Sequence, residues 1–458
     1  MRYDVVIIGA GMSGLSAGVR LAHFGKKVAI LERHYRVGGL NSFYRSGGYD
    51  LDVGLHAVTN YSPDGPKSAP MARLLRRLRM RMSDLELYPQ KVSRIVFPDA
   101  TLEFTNDFDH LARQSGKLFP GQEESLRRLK DEVFRLYENN FSGAPKSARR
   151  FASSFITAPD LVEMLMCPVM FYGSAWENDM EGGQFALLFM SLYCEGFARP
   201  KNGIRPILDL LVERYKNSGG EMRLRSGVQR IEVLKGKAVG VVLDNGDTIE
   251  CEAILSSAGL METIAICPEA SPVDLAPEAG RMSFAESINI IDRPADELGL
   301  DASITFFSAN RKFRYRRSAL PVDVQSGVIC VPGNFCYDEP PDTHMVRITN
   351  IADPGFWEGA DKAGYEKGKI EWRDKSLEVV ETIVPEFSDS VTYFDMFTPR
   401  TIRKFTGHIN GAVYGSPTKL GDGKTPVENV FVCGTDQGYL GVVGSMISGV
   451  EIANQRLL

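Results

Sequence analysis

Three glycines, Gly9, Gly11 and Gly14, follow the β-branched run of residues 5–8 with the spacing G-x-G-x-x-G, and an acid, Glu32, closes the next apolar run at residues 28–31. A turn without side chains lets backbone approach a pyrophosphate closely, and the helix expected from Leu15, Val19 and Ala22 would then offer its positive end to that group. Glu32 is spaced to accept hydrogen bonds from a ribose diol, and its charge would repel a 2'-phosphate, which disfavours NADP. The order strand, glycine turn, helix, strand separates a dinucleotide site from a glycine-rich structural turn.

The elements that must position such a site follow from the remaining pattern. A middle stretch predicts a helix over 207–215 and short strands over 222–224, 228–233, 238–243 and 248–255, with Asp244-Asn245-Gly246 as one of the turns. The chain of 458 residues is long enough for two or three domains, and 43% hydrophobic with 24% charged residues is an ordinary globular balance. A net charge of -5 gives no reason to expect nucleic acid as a partner. Seven scattered cysteines without C-x-x-C spacing predict neither a disulfide frame nor a metal site. With a strand starting near Tyr3 there is no room for a signal peptide ahead of it, so the expected location is cytoplasmic. The uncharged stretches 164–176 and 182–194 have 13 residues each, short of the roughly 20 that a span needs.

After Glu32 comes a glycine pair, Gly38 and Gly39, and near the C-terminus "NVFVCGTDQGYLGVVGSMISGV" is a short strand, Gly434 and Asp436, then a glycine-rich turn into a last helix. In these features the chain resembles the glutathione-reductase-type flavoproteins. The resemblance implies FAD as cofactor and adds Arg33, Gly38, Gly39, Leu40 and Asn41 to the residues expected to bind it. It places Val228 beside the adenine, Asp436 on the ribityl or phosphate portion, and Val442, Val443 and Gly444 against the isoalloxazine. The implied fold class is α/β: a discontinuous Rossmann-like FAD-binding domain (1–65, 195–265 and 420–458) with an α+β substrate domain (66–194 and 266–419). With one G-x-G-x-x-G there is no second nucleotide unit, so a quinone, oxygen or a carrier is the expected electron partner.

Further motifs narrow the resemblance. "YDLDVGLHAVTNY", "KLFPGQEESLRRL", "RPKNGIRPILDLLVERYKNSGGEM" and "FTPRTIRKFTGHINGAVYG" are similar, in that order, to segments of the phytoene desaturase, carotenoid isomerase and retinol saturase family. Asn202 replaces a family glycine, and Leu40 and Asn41 stand where amine oxidases and bacterial phytoene desaturases usually have arginine after the pair. The implied activity is FAD-dependent oxidoreduction of a hydrophobic isoprenoid. Amine oxidation and a non-catalytic prenyl-binding role like that of the Rab GDP-dissociation inhibitors are the alternatives. The resemblance sets His56, Arg400 and Tyr414 beside the flavin, with structural pairing as the competing role of each; Asp52 is expected to fix its loop. Phe171, Tyr172, Trp176, Phe185, Phe189, Met190, Tyr193, Phe306 and Phe307 could line a tunnel or simply fill a core. Two basic stretches, "MARLLRRLRMRM" and "RKFRYRRSALP", could meet a membrane surface or pack on their own domain.

Overall fold

The β-branched run ahead of the glycine turn forms the strand Arg2–Ile8, and in this computed structural model, which describes residues 2–272, 274 and 277–458, it lies inside a seven-stranded sheet. Val28–Leu31 and Thr248–Ser256 flank it in parallel, and Glu221–Arg223 and Val430–Val432 extend the parallel set on the two sides. Val228–Leu234 and Lys237–Leu243 add an antiparallel hairpin. All four residues of Val28–Leu31 are buried, as expected of a parallel strand covered on both faces, and so it reads as an unbroken apolar run.

Close backbone contacts set the helices on this sheet. A Cβ on Gly14 would lie 2.2 Å from the Gly9 carbonyl oxygen, so only glycine lets the Met12–His23 helix leave the turn at that angle. The same helix crosses the Gly441–Ile452 helix at Gly449, where a Cβ would be 2.0 Å from the Ser13 carbonyl oxygen. The start of the first helix is thereby held against the last turns of the second.

The second sheet runs Val391–Phe397, Ser283–Ile291, Met345–Ala352, Val322–Cys330, Ile304–Ser308, Ser93–Phe97 and Ala100–Phe104. Helices between residues 108 and 194 pack with it into the largest apolar core. Phe185, Phe189, Tyr193, Phe306 and Phe307 are fully buried in the packing, so these members of the expected tunnel lining are core. The Pro70–Arg77 helix departs from its expected domain: Met71, Leu74 and Leu75 enter the core of the nucleotide-binding half. Burial of that apolar stripe withdraws it from any lipid and leaves only the basic side exposed. Among the described residues no helix is long and apolar enough to cross a membrane.

Replacing Gly449 by alanine is expected to cost roughly 1–3 kcal/mol, the usual range for overpacking a tight contact, as read by chemical denaturation. Gly359→Ala, where the added methyl meets nothing within 4 Å, should stay within about 0.5 kcal/mol of the parent.

Candidate active site

The helices Met12–His23 and Gly441–Ile452 both begin without a side-chain cap and without an acid in the first turn. Their starts, Gly11 to Ser13 and Gly441, Val442 and Ser445, line one cavity of about 210 Å³. Helix-terminal N–H groups without intrahelical partners and two positive dipole ends suit the cavity to an anionic group such as a diphosphate. A Cβ on Gly11 would meet nothing within 4 Å, so the open space reaches the backbone itself. Gly38, Gly39, Leu40 and Asn41 form the adjoining wall, and Gly434 and Thr435 another.

A buried electrostatic frame carries the opposite wall. Arg199 and Arg347, 4% and 0% exposed, close on the loop of residues 52–56. Arg199 donates to the carbonyls of Leu55 and His56 and to the Asp52 carboxylate, at 2.5, 2.8 and 2.6 Å. Arg347 donates to the carbonyls of Leu55, Asp52 and Val53 at 2.9, 3.0 and 2.7 Å, and its Nε lies 2.5 Å from Glu286 Oε1. Asp52 does fix its loop. The frame leaves His56 at the cavity edge, its Nε2 3.1 Å from Glu286 Oε2 and 2.9 Å from Thr349 Oγ1. Burial penalises the Glu286 charge, yet Arg347, His56 and the Thr349 hydroxyl together hold its carboxyl down at about 2.

Beyond this polar edge the cavity is lined by Ala57, Phe171, Tyr172, Phe284, Val328, Val413 and Tyr414. The Tyr414 hydroxyl donates to the Phe171 carbonyl and burial raises its pKa well above the ordinary phenol range, so its ring faces the cavity while its proton is held elsewhere. A neighbouring cavity of about 350 Å³ shares Gly39, Leu40, Val53, Phe397 and Ile402 with the first.

The frame was not visible residue by residue in the sequence, although Glu286 and Arg347 are isolated charges in nearly apolar strand segments, "SFAESINII" and "MVRITNIA". Five expected positions need correcting. Arg400 is exposed, donates to the Ala360 carbonyl at 2.9 Å and lies over the Tyr365 ring. Ile402, two residues and about 200° further round the same helix, takes the inward place. Asp436 is 1% exposed and does not line the cavity; it accepts from the backbone N–H groups of Leu260 and Ser416 at 2.5 and 2.7 Å. Val443 points into the helix-packing core, and Gly444 abuts the Tyr439 backbone, because the cavity-facing positions of that helix are 441, 442 and 445. Arg33 is exposed and donates to the Lys404 carbonyl at 2.8 Å, binding the end of the Pro399–Thr406 helix.

Glu32 is buried beside the turn, accepting from Ala10 and His34 N–H groups at 2.8 Å each; burial raises its pKa against those bonds. Val228 starts its strand two residues after Ser226, whose N–H donates to the Glu32 carbonyl at 2.8 Å, so it stands near that acid without lining either cavity.

The model of the family described as flavin containing amine oxidoreductase matches residues 12–455. The chain belongs to that family. This flavin oxidoreductase is 22% identical over 520 residues to prolycopene isomerase 2 of an Oncidium hybrid cultivar, with 99% of this chain and 83% of that one covered. It is 24% identical to the all-trans-retinol 13,14-reductase of Danio rerio over 99% and 86% of the two chains. A phytoene desaturase (neurosporene-forming) of Rhodobacter capsulatus matches at 27% over 55% of this chain and 52% of its own. Among solved structures, an oxidoreductase from Methanosarcina mazei superposes with a TM-score of 0.70 at 17% identity, covering 99% of this chain and 100% of its own. Putrescine oxidase bound to putrescine gives 0.67 at 16%, covering 99% and 98%. These likenesses carry the fold, a Rossmann-like FAD domain joined to a second α/β unit. The cofactor of this flavin oxidoreductase is FAD, and the paired uncapped helix starts, the open backbone at Gly11 and Glu32 beside the turn fit it.

Glu286→Gln leaves Arg347 buried without its counter-charge and is expected to cost about 3–5 kcal/mol, measured by urea denaturation at pH 7. The carboxyl titrates near 2 folded against an ordinary value of 4.5, so its stabilisation is complete above the latter and is lost as pH falls from there towards 2. The variant's stability should accordingly vary less with pH over that interval.

Proposed function

We infer that the protein is an FAD-dependent oxidoreductase of a carotenoid-type or related isoprenoid, acting as a desaturase, saturase or isomerase. The observation that carries this reading is the apolar end of the FAD cavity, where Phe171, Tyr172, Phe284, Val328 and Val413 face a single polar edge. An unactivated hydrocarbon needs to be packed rather than hydrogen-bonded, and such a wall does so. The carotenoid and retinoid names of the relatives support the same substrate class.

Bound FAD supplies the hydride acceptor or donor, flavin N5, which is the difficult part of the chemistry. The chain's own residues orient the substrate, exclude water and manage one proton. His56 is the station for that proton: its Nε2 already carries the hydrogen shared with the ionised Glu286 carboxylate, so the proton is exchanged at Nδ1, and the positive ring that results is stabilised by Glu286, itself kept ionised by Arg347. A quinone or oxygen as electron partner and a cytoplasmic protein, peripherally attached to a membrane, complete the proposal.

The test is anaerobic mixing of the flavin-loaded protein with phytoene or squalene, and of its dithionite-reduced form with a conjugated polyene, followed by absorbance. Bleaching in the first case, or reoxidation or geometric isomerisation of the polyene in the second, supports the reading. No response to any isoprenoid, with peroxide released from amines, overturns it. His56→Ala should lower the responding rate by about 10²-fold or more with FAD content unchanged, whereas Arg400→Ala should leave the rate as it is.

A further inference from the structure

The connection between the strands Ile304–Ser308 and Val322–Cys330 contains a second cluster of charge that the active site does not use. Its side chains alternate. Phe313 and Tyr315 are buried, with ring centroids 5.9 and 5.7 Å from that of Phe171, which lines the FAD cavity. Lys312, Arg314 and Arg316 between and beside them are exposed. The basic segment therefore lies over the apolar end of the active cavity with aromatic rings between the two.

Those three cations, with Arg149 and Glu163, border a cavity of about 570 Å³. Arg149 is paired with Glu163 at 2.6 Å, and the flanking Arg311 and Arg317 are paired with Asp99 and Asp353 at 2.7 and 2.9 Å. No ion pair or hydrogen bond of the side chains of Lys312, Arg314 or Arg316 is made among the described residues. Arg314 and Arg316 stand close enough to Asp323 for their charges to favour its ionised form, without forming an ion pair with it, and three cations outside any ion pair converge on one concave surface of a chain whose net charge is -5. Leu320, 56% exposed, projects at the end of the same segment.

We propose that this cavity seats the anionic headgroups of a lipid bilayer, docking the protein with the apolar end of its active cavity towards the membrane. The complement to three unpaired cations is a surface of fixed negative charge, and an exposed leucine beside them can enter its interface. The Pro70–Arg77 helix is the other basic element, but its apolar residues are consumed by the core and cannot contribute such contact. The docking reading takes its purpose from the isoprenoid substrate proposed above; its test needs no turnover.

The experiment is sedimentation of the flavin-loaded protein with phosphatidylcholine vesicles, with and without phosphatidylglycerol. Three chains are compared: the parent, the triple variant Lys312→Gln, Arg314→Gln, Arg316→Gln, and a control of equal charge change, Arg73→Gln, Arg76→Gln, Arg79→Gln. The parent should bind only the anionic vesicles. The first variant should bind on the order of a hundredfold more weakly, about fivefold for each cation, and the control should bind as the parent does. Equal binding by all three, or equal loss in both variants, overturns the proposal. So does saturable binding of inorganic phosphate by a parent that ignores the vesicles, since the site would then serve a soluble anion. Flavin content and thermal midpoint of the triple variant identify a folding failure, and in that case Arg314→Gln alone is expected to reproduce about a fivefold loss. Detergent-solubilised isoprenoid should give the same response in parent and triple variant, whether bleaching, reoxidation or isomerisation, so vesicle binding without any isoprenoid response contradicts the proposed function and leaves the docking surface standing.

Discussion

Two buried guanidiniums gripping one short loop organise the molecule. Arg199 and Arg347 come from distant parts of the chain, yet together they take up the carbonyls of residues 52, 53, 55 and 56. Loop carbonyls in an interior would otherwise be costly to leave without donors. Asp52 and Glu286 balance the two positive charges, so each member is tolerated only because the others are present. This frame connects the half of the chain that carries the glycine turn to the second sheet, and it presents His56 to the space between them.

That space combines two environments with opposite requirements. At one end, the N-termini of the Met12–His23 and Gly441–Ile452 helices, both lining the cavity, supply N–H donors and positive dipole ends to a cofactor bearing negative charge. At the other, aromatic and aliphatic side chains offer nothing for a polar group to bond. Flavin chemistry on a hydrocarbon needs this arrangement: the cofactor's charged part must be bound away from the reacting carbon, and the reacting carbon must be held by packing. His56 stands at the boundary, where Glu286, bonded to Arg347 and the Thr349 hydroxyl, keeps a fixed negative charge.

Features enforced by backbone geometry were legible in the sequence. Gly14 admits no side chain against Gly9, the parallel strands read as apolar runs, and the motif order gave cofactor and family together. Features that depend on where distant segments meet were not. Asp436 sits within the motif that suggested a cofactor contact, but its carboxylate is taken by N–H groups of residues 176 and 20 positions away in sequence. Arg400 belonged to a matched segment, and helical periodicity alone, with Ile402 as the apolar position, would have turned it outward. Glu286 and Arg347 are 61 residues apart and pair across adjacent strands, Ser283–Ile291 and Met345–Ala352; single charges in nearly apolar strands were the available sign. The aromatics of residues 185–193 looked like a tunnel because a core and a ligand wall have the same composition.

In the function proposed above, one cavity, shaped by the arginine-held loop, receives FAD and an apolar substrate together. The most direct measurement is a crystal structure of the flavin-loaded protein soaked with an acyclic polyene. The flavin ring is expected between the loop of residues 54–57 and the start of the Gly441–Ile452 helix, with the polyene packed on Phe171, Tyr172 and Phe284 and both arginines still bonded to the loop. A polyene bound away from those three aromatics, or a loop released from Arg199 and Arg347 when FAD is present, would contradict it.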